Sequence, residues 1–423
     1  MNALRAACLA LALVFCCTPP AWGEGFALNE WSARGVALAN GLVGRADDVS
    51  TLAYNAAGIT RLPGTHVMGG LAFIAPSGSV ETRRADGTRS TAAKPNTWTA
   101  PHAYISHQLN DTVWLGMGVF SRFGLGNSYS GNWPGRYNMY DVGVQTISFV
   151  PTLALKLNEM FSVSAGLDIM HGHMYLGTKI PTVAAGTFRR FDNDMQLEGD
   201  GWGVGAHLGL HMRLNEQWSV GLSYKSQVTM HLTGDVKFDW HGDNLARRQA
   251  HLPEARDCDA EATLQLPDSL ALGVAFKPLD NLSFEAGATW TRWSTYNALN
   301  IYMKDYDAIS NKEWRDGWNF NASVEYRPLD WWALRAGFFY ETPVVNEDYA
   351  DFIVPTNGRK TLSLGMGFTW NNWALDLAYA HVWVNSTDYG STGASGIRNI
   401  GITGGRSKNV SADICMFSLS YAF

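Results

Sequence analysis

The chain contains little that would hold it together or anchor it in the usual ways. After residue 23 it has no apolar run long enough to cross a bilayer as a helix, so helical membrane spans are excluded. Of its 5 cysteines only Cys258 and Cys415 lie beyond residue 23, one in a polar stretch and one near the end, which excludes a disulfide framework and predicts two unpaired thiols. Basic residues do not exceed acidic ones: 32 Lys and Arg face 38 Asp and Glu. Removing Arg5 with the leader described below gives 31 − 38 = −7, a balance that disfavours nucleic acid as a partner. No glycine-rich phosphate loop opens a helix, no local nucleophile motif surrounds a serine, and no energy-coupling box precedes the first strand. An ATP-driven pump is therefore unsupported, and passive movement is the default.

What the chain does have is glycine and aromatics, with 43 Gly, 17 Trp, 16 Tyr and 19 Phe. Residues 1–23 read as a secretory leader: Arg5, an apolar stretch over 6–17, Pro19-Pro20, and the small-x-small site Ala21-Trp22-Gly23, predicting Glu24 as the first mature residue. A lipid-attached start at Cys16 or Cys17 is the rival, weakened by Val14-Phe15 where such sites need small residues.

Beyond residue 64 the dominant signal is two-residue alternation. Phe161, Val163, Ala165, Leu167 and Ile169 alternate with Ser162, Ser164, Gly166 and Asp168. The same period returns at 218–225, 282–290, 332–341 and 373–379. Turn lengths then separate a membrane barrel from a soluble sandwich. Short polar turns stand at Asn110-Asp111, Asn158-Glu159, Asn215-Glu216, 278–281, 328–330 and Asn371-Asn372. Between them run long polar connections over 76–97, 121–145, 171–200, 226–266, 294–316, 341–360 and 384–409. Short turns at one end and long loops at the other are the outer-membrane pattern, with the long loops outside the cell. Six hairpins supply twelve strands, and a first strand near 65–75 with a last near 410–423 makes fourteen, an even number that closes without an edge. The terminal Phe417, Leu419, Tyr421 and Phe423 alternate like a signal for the barrel assembly machinery. The predicted fold is an all-β, 14-stranded antiparallel transmembrane barrel in the bacterial outer membrane, functioning as a monomer among lipid and lipopolysaccharide.

Residues 24–64 break the pattern. Small residues mix there with single aromatics, and no apolar face is long enough for a free helix, so the segment is predicted to be a partly helical hatch sheltered in the lumen, with the barrel over 65–423. Inward charges at Asp168, Arg213, Lys225, Glu285, Glu325, Arg335 and Asp376 are expected to pair with one another and with the hatch.

Several pieces in order carry a resemblance: Gly25-Phe26-Ala27-Leu28-Asn29-Glu30 followed by Trp31, Asp47-Asp48, Asn55-Ala56-Ala57, and Phe123-Gly124-Leu125. They continue with Leu266-Pro267-Asp268, Trp293-Ser294, Trp314-Arg315-Asp316-Gly317-Trp318, Leu334-Arg335-Ala336-Gly337, Glu341-Thr342-Pro343-Val344 and Tyr421-Ala422-Phe423. The mature chain resembles the FadL-type (OMPP1/FadL/TodX) outer-membrane transporters of long-chain fatty acids and other hydrophobic compounds. The resemblance implies loop capture of a hydrophobic small molecule, an inner pocket beside Phe26, Leu28, Asn29 and Glu30, a hatch anchored at Asn55, and lateral release at Phe123, Gly124 and Leu125. It also implies basic contacts for a head group, for which Lys179, Lys312 and Arg315 are the candidates, and it implies neither cofactor nor catalysis. Gly124 fits a kink on physical grounds as well, because it lies in a run that stops alternating. Ala56 stands where the family usually has proline, which predicts a looser anchor.

Loop aromatics Trp133, Tyr137 and Tyr140 are expected to offer apolar surface outside. His171 with His173, and His207 with His211, could share strand faces, but no third ligand stands near either pair and no metal site is predicted. Three rival functions remain: import of an aromatic hydrocarbon, which has no head group; a structural or adhesive barrel whose hatch never moves; and a hydrolase with a Ser/His pair, which leaves the hatch unexplained.

Overall fold

The computed structural model describes residues 25–183, 190–239, 257–304, 306–390 and 401–423; the expected leader and Glu24 lie outside them. Fourteen strands form one closed antiparallel sheet: β1 Thr65–Arg84, β2 Trp98–Gln108, β3 Val113–Phe120, β4 Asp141–Lys156, β5 Phe161–Val183, β6 Arg190–Arg213 and β7 Trp218–Lys225. The circuit continues with β8 Ser269–Leu279, β9 Leu282–Thr291, β10 Gly317–Leu329, β11 Trp332–Glu341, β12 Arg359–Trp370, β13 Trp373–Val384 and β14 Gly404–Ala422. Each strand pairs with the next, and β14 returns to β1 from His66↔Ala422 to Arg83↔Gly404. Closure leaves no free edge around the periplasmic half, which hydrocarbon surroundings demand.

The two faces are reversed relative to a soluble protein. Ile105, Leu115, Leu167, Val204, Leu272, Leu364, Leu377 and Phe417 point outward and are exposed, whereas Ser106, Ser164, Asp168, Glu285, Glu325, Arg335 and Ser418 point inward and are buried. Only a hydrocarbon solvent satisfies so continuous an outer apolar band. Aromatic pairs mark the short-turn end, with Trp218 and Phe276 stacked at 4.3 Å and Trp373 against Tyr421 at 4.7 Å, as an interfacial girdle requires. The short turns fall where alternation predicts them. The long connections differ from expectation: much of 171–200 is a continuous ribbon of β5 and β6, and 226–266 carries a second ribbon, Val228–Asp239 with Cys258–Leu266. The second ribbon turns an apolar face inward, with Val228, Met230, Leu232 and Val236 buried alongside Ala260, Ala262, Leu264 and Leu266.

Residues 25–62 occupy the lumen. Ser32 caps α1, Ala33–Ala37, by accepting the Gly35 N–H at 3.0 Å; α2 is Thr51–Tyr54, and a 3-10 turn follows over Ala56–Arg61. The stretch is short-residued because the wall lies so close. A Cβ on Gly337 would sit 2.7 Å from that of Ala39, and one on Gly221 would meet the Val43 carbonyl oxygen. Leu38, Leu42, Leu52 and Ile59 pack with Tyr104, Trp114, Phe120 and Val150 of the wall.

Charges then lock the insert. Glu285 accepts the backbone N–H groups of Val43, Gly44 and Arg45 at 2.9, 3.0 and 2.7 Å. Arg34 reaches Asp47 at 2.7 Å, Asp48 at 3.0 Å and Glu325 at 3.0 Å, and Glu325 is shared with Arg335, itself 2.6 Å from Asp376. Asp168 pairs with Arg122, and the Lys225 ammonium lies 4.2 Å over the Trp31 ring. Arg213 departs from expectation and is exposed at the short-turn rim, because β6 ends there.

Asn55 also acts differently from a turn-holding residue. Its amide donates to the carbonyls of Val43 and Leu210, both at 3.0 Å, tying the hatch to β6 rather than capping its own turn. Ala56 is the first residue of the 3-10 turn, and Asn55 before it is extended (φ −150, ψ 94), the backbone that proline favours in its predecessor. Ala56→Pro is expected to stabilise the hatch by about 0.5–1 kcal/mol. Mass-detected hydrogen exchange over residues 51–61 should slow several-fold; unchanged or faster exchange would count against this.

Candidate functional site

Among the described residues, the ladder of the wall is interrupted beside β2. The β2–β3 ladder covers only Ala103↔Val119 to Gln108↔Trp114, because β3 ends at Phe120 and the chain bends into the lumen over Ser121, Arg122 and Phe123. When strand resumes at Gly124–Ser128 it pairs with β4 alone, Gly124↔Gln145 to Ser128↔Asp141. Trp98, Thr99, Ala100, Pro101 and His102 therefore bond to β1 on one side and face an opening on the other. The opening ends above at the Lys94 N–H, which donates to the Ser128 carbonyl at 2.8 Å.

The bend is held by hydrogen bonds rather than by a ladder. Arg122 reaches buried Asp168, and the Thr146 hydroxyl takes the Phe123 N–H at 3.1 Å while donating to the Phe123 carbonyl at 2.8 Å. The chain start lies along it as a short strand: Ala27 bridges Phe123, the Leu28 N–H donates to the Arg122 carbonyl at 2.8 Å, and the Gly124 N–H to the Phe26 carbonyl at 3.0 Å. Gly124 is small for a reason, since a Cβ there would stand 2.7 Å from Leu28 Cδ1. Gly126 faces the Trp98 indole even more closely, which sets that ring across the opening.

A cavity of about 750 Å3 follows the opening through the wall. It is lined by inward residues such as Phe26, Val80, Phe123 and Val144, and by outward ones such as Pro101, Gln145, Ile147 and His173. Side chains from both faces of one sheet border a single space, so the space crosses the sheet. Its size lies within the range of sites that enclose a small molecule.

At the inner end Phe26 fills an aromatic box, with ring centroids 4.9 Å from Trp293, 5.6 Å from Tyr296, 5.9 Å from Trp314 and 6.1 Å from Phe123. Edge-to-face packing on this scale is specific as well as apolar. Burial pushes the Glu30 carboxyl above its ordinary value, against the pull of the Asn29 N–H and the nearby Arg359 charge.

Of the residues singled out from sequence, Phe26, Leu28, Glu30, Phe123, Gly124 and Leu125 line this cavity, and Asn29 lines a smaller one of about 60 Å3 next to it. Asn55 lines neither and serves the hatch. The three candidate head-group contacts stand elsewhere. Lys179 is bound by Asp194 and Lys312 by Asp351, each at 2.6 Å, and the Arg315 N–H donates to the Val344 carbonyl. The charges of Lys179 and Lys312 are thus already paired at short range. The basic side chains that do line the cavity are Lys94 and Arg359, which sequence reasoning passed over because they sit at the edges of expected loops. Trp98, which closes over Gly126, was likewise unmarked.

The outer aromatics are also more enclosed than anticipated. Trp133 is buried, stacked on Tyr129 at 4.2 Å and bonded to the Met139 carbonyl, while Tyr137 donates to Asp192. His171 and His173 face outward beside Asp200, and His207 and His211 bond to Thr152 and to the Gly44 carbonyl.

Residues 14–423 match the model of the outer membrane protein transport protein family (OMPP1/FadL/TodX). The chain belongs to that family. Among curated relatives it is 27% identical over 445 residues to the putative outer membrane protein NMB0088 of Neisseria meningitidis serogroup B, covering 95% of each chain. It is 25% identical over 379 residues to the long-chain fatty acid transport protein of Escherichia coli O6:H1, covering 83% of this chain and 84% of the other. The crystal structure of a Pseudomonas aeruginosa FadL homologue superposes with a TM-score of 0.84 at 19% identity, over 95% of this chain and 100% of that one. This OMPP1/FadL/TodX protein is thus an outer-membrane transport barrel, with a cavity that lines the opening beside β2.

Proposed function

We propose that this family member takes up long-chain fatty acids or similar amphipathic molecules by passive diffusion and passes them sideways through its wall. The cavity that crosses the sheet beside Gly124 carries this reading. A straight path to the periplasm is filled by the hatch, held to the wall by the Arg34–Glu325 pair, the Glu285 carboxylate and the Asn55 amide, whereas the lateral cavity is bordered by the side chains of Phe26, Leu28 and Trp98. Apolar lining favours long chains, since each buried methylene contributes about 0.8 kcal/mol. No covalent step is needed.

An aromatic hydrocarbon is the second reading. The presence of Lys94 in the lining favours a cargo with an anionic head over one without. The test is uptake of radiolabelled long-chain fatty acid, with toluene in parallel, by transporter-deleted cells expressing this barrel and its Gly124→Pro variant. Proline removes the N–H bonded to Phe26 and crowds Leu28 into the passage, so fatty-acid uptake should fall at least tenfold with the barrel still inserted. Toluene uptake alone would move the assignment to hydrocarbons, and uptake of neither would sink it.

A further inference from the structure

The interrupted ladder leaves two strand edges open in the same place, and the alternation of the backbone says which groups they present. In β2 the Gln108 N–H donates to the Gly64 carbonyl, towards β1, and just beyond β2 the Leu109 N–H donates to the Val113 carbonyl, towards β3. The β1 register runs unbroken from Thr65↔His107 to Ile74↔Trp98, so even-numbered residues face β1 and odd-numbered ones face β3, or the opening once β3 has ended. Pro101, which has no N–H to leave unpaired, falls on the open side. The groups presented there are the Thr99 N–H and the carbonyls of Thr99 and Pro101. Across the opening, Gly124 and Ser128 turn away from β4 to meet the Phe26 carbonyl and the Lys94 N–H, so Gly126 between them points its own N–H and carbonyl the same way. The Trp98 indole reaches from β2 to Gly126: a Cβ on that glycine would stand 2.7 Å from Nε1, and the indole N–H is buried with no partner among the described residues.

Resting on the import reading above, we propose that the two edges form a backbone-lined subsite for a neutral polar head carrying a donor beside an acceptor, and that a fatty acid occupies it as the un-ionised carboxyl group. Thr99 pairs with Phe73, an exposed member of the outer apolar band, so the open groups lie at hydrocarbon depth, where water does not serve unpaired peptide groups. A carboxyl group serves them as the missing strand would: its O–H donates to a strand carbonyl and its C=O accepts the Thr99 N–H. A carboxylate has no proton for the carbonyls of Thr99, Pro101 and Gly126, and it brings a charge into hydrocarbon. The carboxylate takes its proton from a hydronium ion of the outer water before the head enters the slot. The charged side chains of the cavity belong to other segments: Lys94 precedes β2, Glu30 is in the chain start, and Arg359 faces Glu341 at 3.0 Å and donates to the Gly25 carbonyl at 2.6 Å. His171 and His173 border it from β5, beside Asp200. The edge therefore selects by hydrogen-bond pattern rather than by charge, and a hydrocarbon leaves all of its groups unpaired.

The test uses the full-length mature barrel in lipid nanodiscs, with binding to empty nanodiscs subtracted. The probes are decanoic acid; decanamide, which has a donor and an acceptor and no charge; methyl decanoate, which has acceptors alone; decanesulfonate, which stays anionic; and undecane. The parent should bind decanamide severalfold more tightly than methyl decanoate. Thr99→Pro removes the open N–H and nothing that β1 uses, and Pro101 shows that the strand takes proline on this side. It should weaken decanamide roughly tenfold while sparing decanesulfonate and undecane, which a merely structural effect would not spare. Trp98→Phe keeps a ring over Gly126 and loses the indole N–H; it serves if the proline variant fails to insert, and should weaken decanamide severalfold with undecane unchanged. Equal binding of decanamide and methyl decanoate by the parent, or decanamide binding untouched by Thr99→Pro in an inserted barrel, would overturn the subsite while leaving import standing. Decanesulfonate weakened in step with the amide would overturn the preference for a neutral head. No binding of decanoic acid by the parent would overturn the import reading and the subsite together.

Discussion

Stapling residue 27 to residue 123 is expected to stop uptake until the staple is reduced. The two form a non-hydrogen-bonded antiparallel pair, flanked by the Leu28 N–H to Arg122 and Gly124 N–H to Phe26 bonds. Such pairs bring Cα atoms to about 4.5 Å, inside the span a disulfide tolerates. Ala27→Cys with Phe123→Cys therefore closes a cross-link with little backbone movement, once Cys258 and Cys415, both free, are replaced by Ser. The cross-link fixes the chain start against the bend, so Phe26 cannot leave Trp293, Tyr296 and Trp314, and the inner end of the cavity stays filled. Uptake should fall at least tenfold in the oxidised double variant and return with dithiothreitol. The Phe123→Cys single variant isolates the loss of one ring, which costs box packing but not mobility. Equal transport by the oxidised and reduced forms, with the disulfide verified by gel mobility, would show that this segment does not gate the path.

The second large effect concerns the hatch rather than the gate. Arg34 is 5% exposed and faces Asp47, Asp48 and Glu325 within 3.0 Å. Arg34→Ala leaves three carboxylates with less positive charge among them, and Arg335 is already engaged with Asp376. Removing one partner of a buried ionic cluster costs about 3 kcal/mol or more. Much of that cost would be relieved if the hatch moved and let water in, so the variant should conduct ions. In planar bilayers the parent should be nearly silent and Arg34→Ala should show persistent openings. Pairing Arg34→Met with Glu325→Gln removes one charge of each sign and should recover part of the silence. A single variant as silent as its parent would mean that the Glu285 and Asn55 bonds hold the hatch unaided.

How far the sequence spoke for itself varied by residue. Ser162, Ser164 and Asp168 against Val163, Ala165 and Leu167 declared the inside and outside of β5, because side chains in a strand alternate whatever the strand pairs with. Phe26 and Gly124 were legible through the ordered resemblance, and both line the cavity. Lys179 and Lys312 do not line the cavity, and their pairing was not legible, because a lysine reads the same alone or beside an aspartate fifteen or more positions away, such as Asp194 or Asp351. Arg359 and Trp98 carried no local signal at all. Their meaning comes from Gly25, 334 positions from Arg359, and from Gly126 across an opening in the sheet.

The sequence by itself determined the class of solvent around the protein, the fourteen strands, which end carries the short turns, and the presence of a segment that is not strand. Those properties are periodic or compositional, and they survive whatever the neighbours are. Tertiary structure alone decided that the ladder beside β2 stops at Ala103, that the cavity crosses the wall there, and that one arginine holds the chain start. Each of these depends on groups distant in sequence meeting within a few ångströms, and no local pattern encodes such a meeting.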